Sequence, residues 1–76
     1  MNTRRVLIYI FRIEPEKNSI LARIPDWNYY NFVELTFENI PENNRTSIIP
    51  GAKFWGHIKA NSTELVIERI ENHESI

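Results

Sequence analysis

The chain has 76 residues, a formal charge of −1, 42% apolar and 12% aromatic residues, and no cysteine. That length supports one small domain over residues 1–76, burying about 60% of the surface of its unfolded chain, and the apolar fraction excludes a disordered chain. Without cysteine, neither a disulfide nor a thiolate metal site braces the core, so packing must hold it, alone or with self-association.

The first predicted strand covers residues 4–13. Its two faces, Val6, Ile8, Ile10 and Leu7, Tyr9, Phe11, Ile13, are both largely apolar. A long strand that curls from one sheet into another reads this way. The polar turn 14–19 leads to a second strand, in which Ile20, Ala22 and Ile24 alternate with Leu21 and Arg23 until Pro25 stops it. Residues 26–31 set Trp27, Tyr29 and Tyr30 among Asp and Asn, which favour turns. Residues 32–37 form the third predicted strand, with Val33, Leu35 and Phe37 inward and Glu34 and Thr36 outward.

Pro41 and Glu42 suit a helix start, while Asn43, Asn44, Thr46 and Ser47 are poor helix formers. One or two helical turns are therefore expected there, with Ile48 and Ile49 plugging them into the core. Pro50-Gly51 carries the sharpest turn signal: proline suits the second position of a type II turn, and glycine the positive φ of the third. The fourth strand follows, with Phe54, Gly56, Ile58 and Ala60 on one face and Lys53, Trp55, His57 and Lys59 on the other. Gly56 suggests a tight bend or a close backbone approach. A turn at 61–62, a fifth strand over 65–70 and a frayed tail over 72–76 complete the chain. Val33, Leu35, Phe37, Phe54 and Ile58 are expected to share one core.

Five short strands with a short helical turn between the third and fourth predict an all-β, five-stranded barrel of OB type, with a Src-homology-type barrel as the alternative. Closing the sheet also removes long bare edges.

The segment 37–55, with Ile40-Pro41-Glu42, Arg45 and Pro50-Gly51-Ala52-Lys53-Phe54-Trp55, resembles a family of short bacterial β-proteins. Those proteins carry an acidic Ile/Val-Pro segment, an Arg, then Pro-Gly-Ala-x-Phe and a Trp or Tyr. The resemblance covers about a quarter of the chain, implies a small bacterial β-fold and transfers no functional residue.

Charge is unevenly placed. Arg4, Arg5, Arg12, Lys17 and Arg23 against Glu14 and Glu16 leave residues 1–24 at +3, and Asp26, Glu34, Glu38 and Glu42 against Arg45 leave residues 25–50 at −3. Compensation between neighbouring strands is the expected use of these runs. Val6 to Phe11 is too short for a signal peptide and lacks a cleavage site, which points to a cytoplasmic protein without a membrane span. The glycosylation-like triplets at 44–46 and 61–63 are then chance matches.

His57 and His73 have no acidic ligand at metal spacing, the two glycines form no phosphate loop, and no serine context marks a nucleophile. The expectation is a non-enzymatic protein without metal or cofactor. The aromatics are the remaining signal. Tyr9, Phe11, Arg12, Tyr29, Tyr30, Trp55 and His57 form the candidate binding surface, with Arg23, Lys53 and Lys59 among them. Trp55 is expected to point outward into it, while Trp27 caps the barrel end. A protein partner or a second copy is the preferred occupant. Single-stranded nucleic acid, held by stacking beside cations, is the alternative, and the near-neutral charge ranks it second.

Overall fold

The computed structural model describes residues 3–60 and 64–71. The expected turn at 61–62 and the tail at 72–76 lie outside them. The protein is all-β. β1 (Arg4–Glu14), β2 (Ser19–Arg23), β3 (Val33–Leu35), β4 (Lys53–Ala60) and β5 (Leu65–Ile70) form one antiparallel sheet in the order β3-β2-β1-β4-β5, curled into a half-barrel. Among the described residues its connections contain only short 3-10 turns, at Pro15–Lys17, Phe37–Asn39 and Glu42–Ser47. No helix among the described residues is long and apolar enough to cross a membrane.

β1 changes partner along its length. Residues Arg4 to Tyr9 pair with β4, and Tyr9 to Glu14 pair with β2, so Tyr9 alone is paired on both sides. A bulge follows at once. Ile10 faces Ala22 and Arg12 faces Leu21, leaving Phe11 as the extra residue. An inserted residue bends the strand and reverses which side chains point inward. Val6, Ile8 and Ile10 are buried before the bulge, and Ile13 packs on the core after it. Of the second apolar set only Ile13 is turned inward in this way; Leu7, Tyr9 and Phe11 remain on the outer face. β5 carries a second bulge, at Glu68, between the pairs His57–Arg69 and Ile58–Ile67.

The core gathers the inward residues of every strand: Val6, Ile8 and Ile10; Ile20, Ala22 and Ile24; Leu35; Phe54 and Ile58; Leu65 and Ile67. Ile40 and Ile48 plug it from the connection between β3 and β4. Phe54, Ile58 and Leu35 are buried in this cluster, with Val33 and Phe37 packed against it, as the alternation requires. Ile49 departs from expectation. It is 58% exposed, because as the first residue of the Pro50-Gly51 turn it leaves the core that Ile48 enters.

That turn has the predicted type. The Ala52 N–H donates to the Ile49 carbonyl at 3.0 Å and Gly51 has φ of 86°, the positive value of a type II third position. It is stitched to β1, with Gly51 N–H donating to the Ile10 carbonyl and Ile10 N–H to the Ala52 carbonyl. β3 ends earlier than predicted, at Leu35. The Phe37 N–H leaves the ladder and donates to Asn18 Oδ1 at 2.9 Å, and Asn39 Oδ1 caps Thr36. Asn18, at φ of 52°, also donates to Glu38 Oε1 at 2.7 Å. This one side chain thereby fixes the β1–β2 turn to the 3-10 turn after β3, which in turn packs on β5.

Gly56 is buried, and it accommodates a side chain rather than the backbone approach expected. A Cβ there would lie 2.6 Å from Ile8 Cδ1. The absent side chain lets Ile8 lie across β4 at the centre of the sheet. Two outcomes follow. Gly51→Ala should cost about 1–2 kcal/mol in chemical denaturation, because a Cβ at this φ is strained although space is free around it. Gly56→Ala should also destabilise, but Ile8→Val removes the clashing methyl, so the double variant should be more stable than the two single losses added together. Additive losses would show that Ile8 is not what Gly56 makes room for.

Candidate interaction surface

The outer face of the sheet is set by the register. Arg23, Tyr9 and Lys53 lie side by side on β2, β1 and β4. Leu7 faces Trp55, and Arg5, His57 and Arg69 form a further row across β1, β4 and β5. The sequence-predicted residues separate into two groups on this face.

The first group is an ion-paired clamp. Arg5 Nε and Nη2 donate to the two carboxylate oxygens of Glu71 at 2.5 and 2.9 Å, and His57 Nε2 lies 2.9 Å from Glu71 Oε2. The Glu71 N–H donates to the Trp55 carbonyl at 2.9 Å, which places its side chain over β4. Held this way, the Arg5 guanidinium sits 4.1 Å from the centre of the Trp55 ring, a cation–π geometry. Trp55 is therefore half-buried under Arg5, and His57 is tied to Glu71. The hydrogen bond from Arg5, and then that from His57, hold the Glu71 carboxyl at about 2, below its ordinary 4.5. The same pairing raises Arg5 above its usual value.

The second group is an open aromatic patch. Phe11, pushed out by the bulge, meets Phe32 with ring centres 5.0 Å apart and planes at 43°. Their exposures are 56% and 45%. The Arg23 guanidinium covers Phe32 at 5.5 Å and also donates to the Tyr29 carbonyl. Lys53 Nζ lies 5.8 Å from the centre of the Tyr9 ring. Tyr29 and Tyr30 pack edge to face at 5.1 Å, and Tyr30 is 85% exposed.

The loop carrying these tyrosines has its own supports. Trp27 and Asn28 N–H both donate to the Ile24 carbonyl at 2.8 Å, Asn31 N–H donates to Asn28 Oδ1, and Arg4 Nη2 donates to the Asp26 carbonyl. Trp27, expected over the barrel end, keeps 39% of its surface exposed. Arg12 borders the patch and lies 3.6 Å from Glu14, which Lys17 shares at 3.7 Å.

The structure therefore brings Tyr9, Phe11, Arg12, Tyr29 and Tyr30 to the patch side and assigns Trp55 and His57 to the clamp. Sequence reasoning missed Phe32, Arg5 and Glu71. Phe32 had a signal, since it shares the outward parity of Glu34. The Arg5–Glu71 pair had none, being 66 residues apart in sequence. The expected compensation between the basic run 1–24 and the acidic run 25–50 takes another form. Among the described residues the ion pairs join Arg5 and His57 to Glu71, Lys59 to Glu68, and Arg12 and Lys17 to Glu14, and no ion pair links the two runs. No three His, Asp or Glu among the described residues converge as metal ligands.

Comparison with family models, with curated proteins and with solved structures finds no match to this chain.

The clamp has a defined pH dependence. A carboxyl held below its unfolded value stabilises the fold above that value and loses the contribution as pH falls through the folded one. Parent protein should therefore exceed Glu71→Gln in denaturation midpoint at neutral pH, with the gap closing between pH 4.5 and about 2. A gap that stays constant over that range would exclude Glu71 as the group responsible.

Proposed function

We propose that this is a non-enzymatic, cytoplasmic binding module that engages a protein partner or a second copy of itself through the outer patch of Tyr9, Phe11, Phe32, Tyr29 and Tyr30. The observation that carries this reading is the Phe11–Phe32 pair, two large apolar rings in contact with each other and both open to solvent. A β-bulge spends one residue of ladder pairing to put Phe11 there, and bulges commonly re-aim a side chain near functional sites. Contiguous exposed apolar surface of this kind marks interaction sites. The strand order, with β1 between β2 and β4, supports an OB-type, partly open barrel over the Src-homology type.

Single-stranded nucleic acid is the second reading, favoured by cations beside the rings. It ranks lower because stacking needs open ring faces. Here Phe32 is shared between Phe11 and Arg23, and Lys53 lies over Tyr9. A dilution series followed by amide chemical shifts tests self-association, and a titration with mixed-sequence single strands at low and high salt tests the alternative. Concentration-dependent shifts should centre on residues 9–12 and 29–32, with no salt-sensitive response to single strands. Single-strand binding at these residues that weakens steeply with salt would transfer the function to the second reading.

A further inference from the structure

We infer that the partner segment docking on this patch is acidic: a protein segment presenting carboxylates beside apolar side chains, received by Arg23 and Lys53 on either side of Tyr9. The inference rests on the binding-module reading and adds the chemistry of the occupant.

The row Arg23–Tyr9–Lys53 crosses three adjacent strands at one level. With strands about 4.8 Å apart, the backbones carrying the two cations stand roughly 10 Å apart with Tyr9 on the strand between them. Neither has a carboxylate partner among the described residues. Lys53 is exposed and leans over Tyr9. Arg23 spends one donor on the Tyr29 carbonyl, and its buried Nε has no hydrogen-bond partner. The carboxylates nearby in the register are already engaged: Glu71, whose N–H bonds the Trp55 carbonyl two residues from Lys53, by Arg5 and His57, and Glu34, diagonal to Arg23, by the Ser19 hydroxyl at 2.8 Å.

Elsewhere on the same outer face Arg5 is neutralised by Glu71 and Lys59 by Glu68, while Arg69, exposed at the β5 edge away from the rings, has no ion pair among the described residues. A chain of net charge −1 thus keeps unspent positive charge beside its exposed rings. Charge complementarity of this kind selects partners by sign and speeds their encounter. At Phe32 and Tyr9, the rings nearest these cations, a cation already lies against the ring, which argues there for carboxylates and aliphatic groups as ligands and against stacked bases.

The probes are short end-capped peptides of alternating Glu and Leu, Gln and Leu, or Lys and Leu, together with a single-stranded oligonucleotide. Each is titrated into the full chain at low salt, with amide shifts as the readout. The Glu–Leu peptide should shift Tyr9, Phe11, Phe32 and Lys53 and bind at least about tenfold more tightly than the other two peptides, with the preference fading as salt rises. Lys53→Glu should abolish that preference, and Arg23→Gln, which keeps an amide donor, should reduce it. Equal binding of the Gln–Leu peptide at the same residues would overturn the acidic assignment while leaving the binding face standing. Tighter binding of the oligonucleotide would overturn it too. So would peptides that leave these amides unmoved while dilution of the protein shifts them, which would leave self-association as the face's role.

Discussion

The fold depends on β1 serving two neighbours in succession. A sheet of five short strands can curl only if its central strand bends. Here the bend comes where the pairing passes from β4 to β2 and one residue is inserted after Tyr9. Had the register run on unbroken, Ile13 would face outward and Arg12 would sit under Ile20 in the core. The bulge moves the surplus onto Phe11, so the same backbone event shapes the barrel and builds the candidate surface. Ile10, the residue before it, is also held by the Pro50-Gly51 turn through both its N–H and its carbonyl.

Two small features support that curl. Gly56 yields its side-chain volume to Ile8, which brings β1 and β4 together where a Cβ would keep the methyl out. Asn18 spans the β1–β2 turn and the residues after β3, and those residues lie against β5. At the other end Glu71 ties the end of β5 to β1 and β4 in a single carboxylate. These contacts are polar and solvent-accessible, so each contributes modestly to stability. Their larger effect is positional: Arg5, once fixed by Glu71, covers Trp55 and removes it from the exposed apolar surface.

Much of this architecture was legible in the residues. The alternation of Phe54, Gly56 and Ile58, the Pro50-Gly51 turn and the arrest of β2 before Pro25 are local signals, and local physics sets them. β1 was legible only in part. Its two apolar faces announced a curl, but the position of the inversion depends on how Leu21 and Ala22 pair with it. Ile49 looked like core because it repeats Ile48, yet the turn that begins there points it away. Gly56 was visible as an anomaly and its beneficiary was not, since Ile8 lies in another strand. The clamp illustrates the same limit for function. Trp55 read as an outward aromatic, and so it is by phase; what covers it comes from residues at opposite ends of the chain.

That distinction bears on which exposed rings can act. An aromatic side chain contributes to recognition through the surface it can still lose to a partner. Trp55 has already surrendered one ring face to Arg5, whose guanidinium would need to leave both Trp55 and Glu71 before a ligand could stack there. Phe11 and Phe32 face no such obstacle along their outer edges, and Tyr30 is open over most of its surface. The cations differ in the same way. Arg5 is committed to a carboxylate, whereas Arg23 and Lys53 rest on rings, an interaction of about 0.5–1 kcal/mol at exposed sites. A solvent-exposed ion pair with an incoming carboxylate contributes about 0.2–1 kcal/mol, the same order as the ring contact it replaces, and is screened by salt. The proposed acidic partner would therefore be received at Arg23 and Lys53, which have no carboxylate among the described residues, and not at Arg5, whose carboxylate Glu71 already supplies.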